Sequence, residues 1–236
     1  MSFATDGYEV VPLFSPQELS ILREAVAAHM AGVAGALLKP AAEAEPDAPY
    51  DERIERLAEH DPSYAQLLGV AVATDAQRTP AVAALAHDPR IERLVEEMAG
   101  CPVGERIFRF RLNSSALPKG RQAWHSDVAR LDGEECSQLV ATAWIPLADA
   151  GPDTGGLEIL PGRRDAPFAH AEGGGKITID DGDLNGADTV VPTVPAGHCL
   201  FLHPFTPHRA VENLSGRTRW SLVVWMKAPV ADIGAS

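Results

Sequence analysis

The sequence predicts an α+β domain with a mainly β core, in which helices come first and a barrel or jelly roll follows. Helix signals dominate residues 1–104, whereas short strand patterns separated by Gly, Pro and Asp fill residues 105–228. Hydrophobic residues make up 45% of the 236 residues, which is enough to bury one sizeable core. We therefore expect a single domain over 1–236.

The first helix is predicted to begin at Ser15. Ser15 is a favoured N-cap residue, Pro16 suits the first helical position, and Glu18 completes a capping box. Apolar residues then recur at helical spacing at Leu19, Leu22 and Val26.

Two further helical patterns cover residues 51–72 and 89–100. Asp61-Pro62 predicts a break in the first pattern, and Gly100 predicts the end of the second. Residues 32–50, rich in Ala, Pro and Glu, are predicted to form a mobile connection.

Short strand patterns fill the C-terminal part. Residues 108–113 alternate strictly, which places Arg109, Arg111 and Asn113 on one face of a strand. Further strands are predicted at 138–147, 157–160, 189–194, 198–203 and 219–226. The segment 173–188 is rich in Gly and Asp and has little apolar content, so it is predicted to be a long surface insertion.

The net charge restricts the kinds of molecule that the protein can bind. A net charge of −13 argues against nucleic acid and against anionic membrane surfaces, and it predicts a neutral or cationic substrate. The simpler alternative is that the charge only maintains solubility. Three cysteines without CxxC spacing, no leader-like N-terminus and no membrane-length apolar run predict a cytoplasmic protein.

Three residues form a candidate metal site. On a strand, His125 and Asp127 would point to the same side, although such a pair alone is more often structural. His208, far downstream, supplies a second imidazole. Two histidines and one carboxylate leave open positions, an arrangement typical of non-haem iron(II) oxygenases. His203, at the end of an apolar strand, is the alternative to His208.

Arg219 makes this interpretation more specific. It lies eleven residues after His208, and alternation places it on one strand face with Ser221. A guanidinium beside a hydroxyl can bind the distal carboxylate of 2-oxoglutarate. The alternative is a surface charge on an edge strand. Among the tryptophans, Trp144 is the best pocket candidate because it faces the same way as Thr142.

Five ordered motifs resemble the phytanoyl-CoA dioxygenase-like family of 2-oxoglutarate oxygenases, which includes ectoine hydroxylase. They are the opening at 6–11, the metal motif at 124–127, the strand at 144–149, the turn element at 154–162 and the distal segment at 197–219. The family's Ser-His is replaced here by Arg163-Arg164, and its Asn-Gly turn is replaced by Gly155-Gly156.

The resemblance implies a double-stranded β-helix, a jelly roll with the N-terminal helices on one sheet and iron in its mouth. It implies that the iron ligands are His125, Asp127 and His208. It also implies that Arg219 binds 2-oxoglutarate, with Ser221, Arg111, Asn113, Thr142 and Trp144 as further candidates.

The reaction implied is oxidation of a small molecule by O₂ and 2-oxoglutarate with release of succinate and CO₂. Hydroxylation is the main expectation, and desaturation or ring formation are variants of it. Segments 32–50 and 163–188 are predicted to close over the substrate. Two alternatives remain, a cupin-like metalloenzyme independent of 2-oxoglutarate and a non-catalytic jelly roll that binds a ligand.

Overall fold

The computed structural model describes residues 2–37, 48–76, 79–117, 123–130, 138–173, 176–184 and 186–229. Most of the predicted mobile connection, residues 38–47, lies outside these ranges, while residues 32–37 continue a helix. Among the described residues, no helix combines the length and the apolar character needed to cross a membrane.

Six α-helices form most of the N-terminal part that the structure describes. They are α1 (Phe3–Asp6), α2 (Pro16–Leu37), α3 (Arg53–His60), α4 (Pro62–Asp75), α5 (Pro80–Ala86) and α6 (Pro89–Ala99). The capping box at the start of α2 is formed, since the Ser15 N–H donates to the Glu18 carboxylate over 2.8 Å and the Glu18 N–H donates to the Ser15 hydroxyl over 3.3 Å.

The other helix boundaries follow from the residues predicted to set them. Asp61 ends α3 and caps α4, because its carboxylate accepts from the Ser63 N–H over 2.9 Å. Gly100 follows α6 in the left-handed conformation, with φ 71°. Helix α5 was not predicted; Pro80 starts it, and its buried residues are Val82 and Ala86.

Within the described residues, nine strands make up the β part. They are β1 (Tyr8–Pro12), β2 (Arg106–Asn113), β3 (Leu139–Pro146), β4 (Leu157–Ile159), β5 (Ala171–Gly173), β6 (Lys176–Thr178), β7 (His198–Leu202), β8 (His208–Ala210) and β9 (Arg219–Lys227). Five of them form an antiparallel sheet in the order β1-β7-β3-β9-β2. Strands β4 and β8 form a smaller sheet, and β5 and β6 form a separate hairpin.

The strand predicted at 189–194 is wrong as a continuous element. The segment makes only single bridges, from Val190 to Ile159 and from Val194 to Ala150. Pro192 lies between these bridges, and because proline has no backbone N–H it interrupts a ladder.

The two faces of the large sheet bury different partners. Residues Trp220, Leu222, Val224 and Met226 of β9 lie in one core with helix residues such as Leu22, Met30, Ile91 and Val95. The opposite face meets the smaller sheet in a second core that contains Tyr8, Trp144 and Leu200 on one side and Leu157 and Ile159 on the other. The predicted packing of the helices on one sheet is therefore confirmed.

Candidate metal site

His125 and His208 are brought side by side by the backbone. The two residues form an isolated antiparallel bridge, with N–H···O distances of 3.1 and 2.9 Å between them. Residues opposite each other in such a pair project to the same face. Their imidazole centroids are 4.4 Å apart, so the predicted convergence of these histidines occurs in the structure.

Each imidazole is oriented by a backbone carbonyl two residues earlier. The Nδ1 of His125 is 3.0 Å from the Ala123 oxygen, and the Nδ1 of His208 is 3.0 Å from the Thr206 oxygen. A carbonyl only accepts, so Nδ1 must carry the proton in both rings. The lone pair of Nε2 is then available to a metal, the usual arrangement of ligating histidines.

Asp127 completes the group from a different element. The structure places His125 in a bridge and Asp127 at the start of a 3-10 helix, rather than both on one strand. The Asp127 carboxylate accepts a 2.7 Å hydrogen bond from the Thr142 hydroxyl, and its Oδ2 is 3.7 Å from His208 Nε2.

The donor set fits Fe(II). The ligand atoms of His125, Asp127 and His208 all lie within 4.8 Å of one another, and the three residues are buried. Two imidazoles and one carboxylate suit non-haem iron(II) with open positions, whereas structural zinc is closed by four ligands. No other group of three potential ligands converges in this way within the described ranges.

His203 is not part of this group. Its imidazole lies edge-on to Phe3 and Phe205, at centroid distances of 5.9 and 5.2 Å. Burial and, to a smaller extent, the charge of Arg163 lower the pKa of His203 to about 4. His208 rather than His203 therefore joins the candidate metal site.

Arg219 is a buried cation on the inner face of the large sheet. Its Nε donates to the Gly155 carbonyl over 2.9 Å, and its Nη1 donates to the Ser221 hydroxyl over 2.6 Å. The guanidinium lies 5.0 Å from the centroid of the Trp144 ring. No carboxylate among the described residues pairs with it, and burial lowers its pKa to about 9.

The remaining predicted site residues share the inner face. Asn113 and Arg111 on β2 lie opposite Arg219 and Ser221, respectively. The Asn113 amide donates to the Val211 carbonyl over 2.9 Å, and Arg111 is exposed at the sheet edge. Thr142 directs its hydroxyl to Asp127, as described above. The contacts of these residues with 2-oxoglutarate stay predictions.

His170 and Trp225 are two residues that sequence reasoning missed. Trp225 lies opposite Thr142 on the inner face, and its indole N–H is buried without a hydrogen-bond partner among the described residues. The imidazole of His170 contacts Ser126, between two of the candidate ligands, and burial lowers its pKa. Neither residue belongs to a recognisable motif, so spacing alone gave no signal.

Solved structures of metal- and 2-oxoglutarate-containing proteins share this fold. The epimerase SnoN, in complex with Fe³⁺, alpha ketoglutarate and nogalamycin RO, has 20% identity and a TM-score of 0.61 over 99% of this chain and 89% of SnoN. EctD from S. alaskensis, with 2-oxoglutarate and 5-hydroxyectoine, has 19% identity and a TM-score of 0.62 over 96% and 74% of the two chains.

A third structure extends the comparison. EvdO2 from Micromonospora carbonacea var. aurantiaca, complexed with 2-oxoglutarate, has 18% identity and a TM-score of 0.60 over 100% of this chain and 92% of EvdO2. A comparison with curated protein sequences finds no significant match.

The fold and the triad together define the class. The fold is the double-stranded β-helix of iron- and 2-oxoglutarate-dependent oxygenases, as predicted. The profile of the phytanoyl-CoA dioxygenase (PhyH) family matches residues 3–221. The chain therefore belongs to the phytanoyl-CoA dioxygenase family.

Proposed function

We propose that this protein is an Fe(II)- and 2-oxoglutarate-dependent oxygenase that hydroxylates a C–H bond of a small molecule and releases succinate and CO₂. The observation that carries this proposal is Arg219, a buried guanidinium without a carboxylate partner among the described residues. A buried charge is costly unless it is paired, so the site calls for an anionic ligand.

The chain's own residues have separate tasks in this proposal. His125, Asp127 and His208 hold Fe(II), whose role when bound is to activate O₂ together with the 2-oxoacid. Arg219 binds the distal carboxylate of 2-oxoglutarate, and Ser221 orients the guanidinium. Thr142 holds the Asp127 carboxylate in place by a hydrogen bond.

The order of residues along β9 separates a cosubstrate side from a substrate side. Arg219 and Ser221 lie at the start of the strand, and Trp225 lies beyond Val223 on the same face. Trp225 is the cross-strand neighbour of Thr142, which bonds Asp127, so it lies beside the metal and away from Arg219. We place the substrate on this side, where Val223 is partly exposed.

Three features support a small, neutral or cationic substrate with a hydrogen-bond acceptor. SnoN and EctD are named with the small molecules nogalamycin RO and 5-hydroxyectoine. The net charge of −13 disfavours anionic substrates. The buried N–H of Trp225 lacks an acceptor in the described part of the chain, and an ether, hydroxyl or carbonyl oxygen of the substrate would supply one.

The function is tested by the release of succinate from 2-oxoglutarate under O₂, in the presence of a panel of neutral and cationic small molecules. Wild-type protein should form succinate in an Fe(II)-dependent manner, and the rate should rise with the correct substrate. Asp127→Ala should abolish succinate formation. Fe(II)-loaded wild type that forms no succinate at all would contradict the proposal.

The substrate side is tested by Trp225→Phe, which keeps an aromatic ring and removes the N–H. For the most active acceptor-bearing compound, KM should rise about 3- to 10-fold with kcat little changed, because one neutral hydrogen bond is lost. Trp220→Phe is the matched control: its N–H donates to the Tyr50 carbonyl on the opposite face, so KM should not move. An unchanged KM in Trp225→Phe would remove Trp225 from the substrate site.

A further inference from the structure

The backbone around Ser126, between the candidate iron ligands His125 and Asp127, is hydrogen-bonded on both of its edges. On one edge, His125 pairs with His208 of β8. On the other edge, the partners come from the segment 163–188, which contains the predicted surface insertion 173–188 and is here called the insertion. The Ile179 N–H donates to the Trp124 carbonyl over 2.8 Å, and the Ser126 N–H donates to Nε2 of His170 over 3.1 Å.

The His170 imidazole makes two polar contacts besides the one with the Ser126 N–H. The Ser126 hydroxyl lies 3.2 Å from the same Nε2, and the Phe168 backbone is the hydrogen-bond partner of the imidazole. Because Nε2 accepts from a backbone N–H, it carries a lone pair, and the ring proton is on Nδ1. His170 thus has one defined tautomer and one defined orientation.

The Ser126 N–H has no access to solvent that could replace His170 as a hydrogen-bond acceptor. It is completely buried and lies between His125 and Asp127, so losing His170 would leave its N–H unsatisfied. The backbone would then shift toward another acceptor and carry both neighbouring side chains with it. Groups that orient metal ligands typically change metal affinity by about 10- to 100-fold when they are removed.

The insertion is anchored around the metal motif by apolar contacts as well. Ile179 and Leu184 pack with Trp124 and Leu160 in a small core, with Phe168 against it. Residues 173–188, predicted from their composition to be a long surface insertion, therefore bury two of their few apolar residues. Closure of segment 163–188 over the substrate stays a prediction, but its described part contacts residues 124–126 of the candidate metal motif.

We propose that His170 is a positioning residue of the iron site, contributed by the insertion to fix the Ser126 peptide and thereby the spacing of His125 and Asp127. The role rests on the proposed function, since it assumes that these residues hold Fe(II). It makes the affinity for iron depend on a residue of the insertion that does not itself bind the metal.

The test compares Fe(II) affinity, measured anaerobically by competition with a chelator, in wild type, His170→Phe and His170→Gln. His170→Phe removes the acceptor and should raise the Kd for Fe(II) about 10- to 100-fold. His170→Gln offers an amide oxygen near the position of Nε2 and should restore the Kd to within a few-fold of wild type. Wild-type affinity in His170→Phe, or no rescue by His170→Gln, would overturn the proposal.

Leu184→Ala is the matched control for general loosening of the insertion. It removes apolar packing around Trp124 without touching the Ser126 hydrogen bond, so it should lower the melting temperature of the apoprotein and leave the Kd for Fe(II) near wild type. If Leu184→Ala weakened iron binding as much as His170→Phe, a specific role of His170 would be refuted. Failure of the proposed function would differ, since wild type would then either lack Fe(II) affinity or bind Fe(II) without forming succinate from 2-oxoglutarate.

A measurement on wild type alone covers the case in which His170→Phe does not fold. In ¹⁵N-histidine-labelled apoprotein at neutral pH, the His170 side chain should show the Nδ1–H tautomer with Nε2 as a hydrogen-bond acceptor. The Ser126 amide should exchange slowly with solvent. A ring that exchanges between tautomers, together with a fast-exchanging Ser126 amide, would contradict the proposal.

Discussion

At the scale of single residues, Arg219 shows how burial creates a requirement for a ligand. Desolvation is the cause that lowers its pKa to about 9, and its two described hydrogen bonds go to neutral oxygens of Gly155 and Ser221. Neutral acceptors offset only part of the cost of burying a charge. In the proposed function, the carboxylate of an anionic cosubstrate offsets the rest of this cost. Arg219 would then lower the stability of the protein without cosubstrate and strengthen cosubstrate binding.

Burial also lowers the pKa of His203, which lies outside the candidate metal site. Its folded-state pKa of about 4 lies below the ordinary histidine value of about 6.5, because burial and the charge of Arg163 disfavour the imidazolium. The unfolded state therefore binds a proton that the folded state does not, between these two values. Stability due to neutral His203 is present above pH 6.5 and is lost progressively as the pH falls toward 4.

We therefore expect His203→Gln to flatten the acid dependence of stability. His203 is partly exposed, so solvent screening reduces its contribution to about 1–2 kcal/mol between pH 7 and pH 4.5. The measurement is the urea unfolding free energy of wild type and variant at both pH values. An equal loss of stability in both proteins would show that His203 is not responsible.

At the scale of elements, helix α3 supports the strand that carries Arg219. The Glu55 carboxylate is buried and accepts from the Ser115 hydroxyl and the Ala116 N–H over 2.8 Å each, and from the Thr218 hydroxyl over 3.0 Å. Thr218 immediately precedes Arg219. One carboxylate thus ties the helix to the end of β2 and to the start of β9.

Glu55→Ala should lower the free energy of unfolding by about 2–4 kcal/mol, since the buried Thr218 hydroxyl and several partly buried donors at Ser115 and Ala116 lose their acceptor together. The denaturant midpoint measures this change. Glu59→Ala, an exposed position on the same helix, is the control and should stay within about 0.5 kcal/mol of wild type. A loss in Glu55→Ala no larger than in this control would show that the carboxylate has no structural role.

The elements that were predicted correctly are those whose signals are local. Capping residues placed α2, α4 and α6. Alternation placed Arg109, Arg111 and Asn113 on one face of β2 and Arg219 and Ser221 on one face of β9. The hairpin β5-β6 and helix α5 lack such signals, because their residues are mostly small or polar. The segment 189–194 has a strand-like composition, but its proline breaks the ladder.

The site residues also divide into those with a sequence signal and those without one. Motif order and spacing predicted the convergence of His125, Asp127 and His208 and the inward orientation of Arg219, although they did not predict the 3-10 helix at Asp127. His170 could not be found, because its contact with Ser126 joins residues 44 apart through the tertiary fold alone. The same holds for Trp225, whose missing acceptor becomes apparent only once its neighbours are known.

At the scale of the whole molecule, the candidate metal site joins segments that are distant in sequence. Its candidate ligands come from residues 125–127 and from β8, and in the proposed function the bound 2-oxoacid would add Arg219 of β9. Ligands that bind only the folded state stabilise it by mass action, by about 2.7 kcal/mol at a concentration 100 times the Kd.

Mn(II) together with 2-oxoglutarate should therefore raise the melting temperature of wild type by roughly 5–10 °C at such concentrations. Mn(II) replaces Fe(II) here because it resists oxidation during heating. His208→Ala should show little or no rise, which controls for nonspecific effects of the metal. An equal rise in both proteins would mean that the ion binds somewhere else.

The most direct test of the central claim is an anaerobic titration of the Fe(II)-loaded protein with 2-oxoglutarate, followed by the weak visible metal-to-ligand charge-transfer band. The band should appear and saturate in wild type and be absent in His208→Ala. Arg219→Lys should require about 10- to 100-fold more 2-oxoglutarate, because lysine keeps the positive charge but cannot make the bidentate hydrogen bonds of a guanidinium. Bound iron without a band would contradict the account and favour a cupin-like metalloprotein. Absence of iron binding would favour a non-catalytic jelly roll.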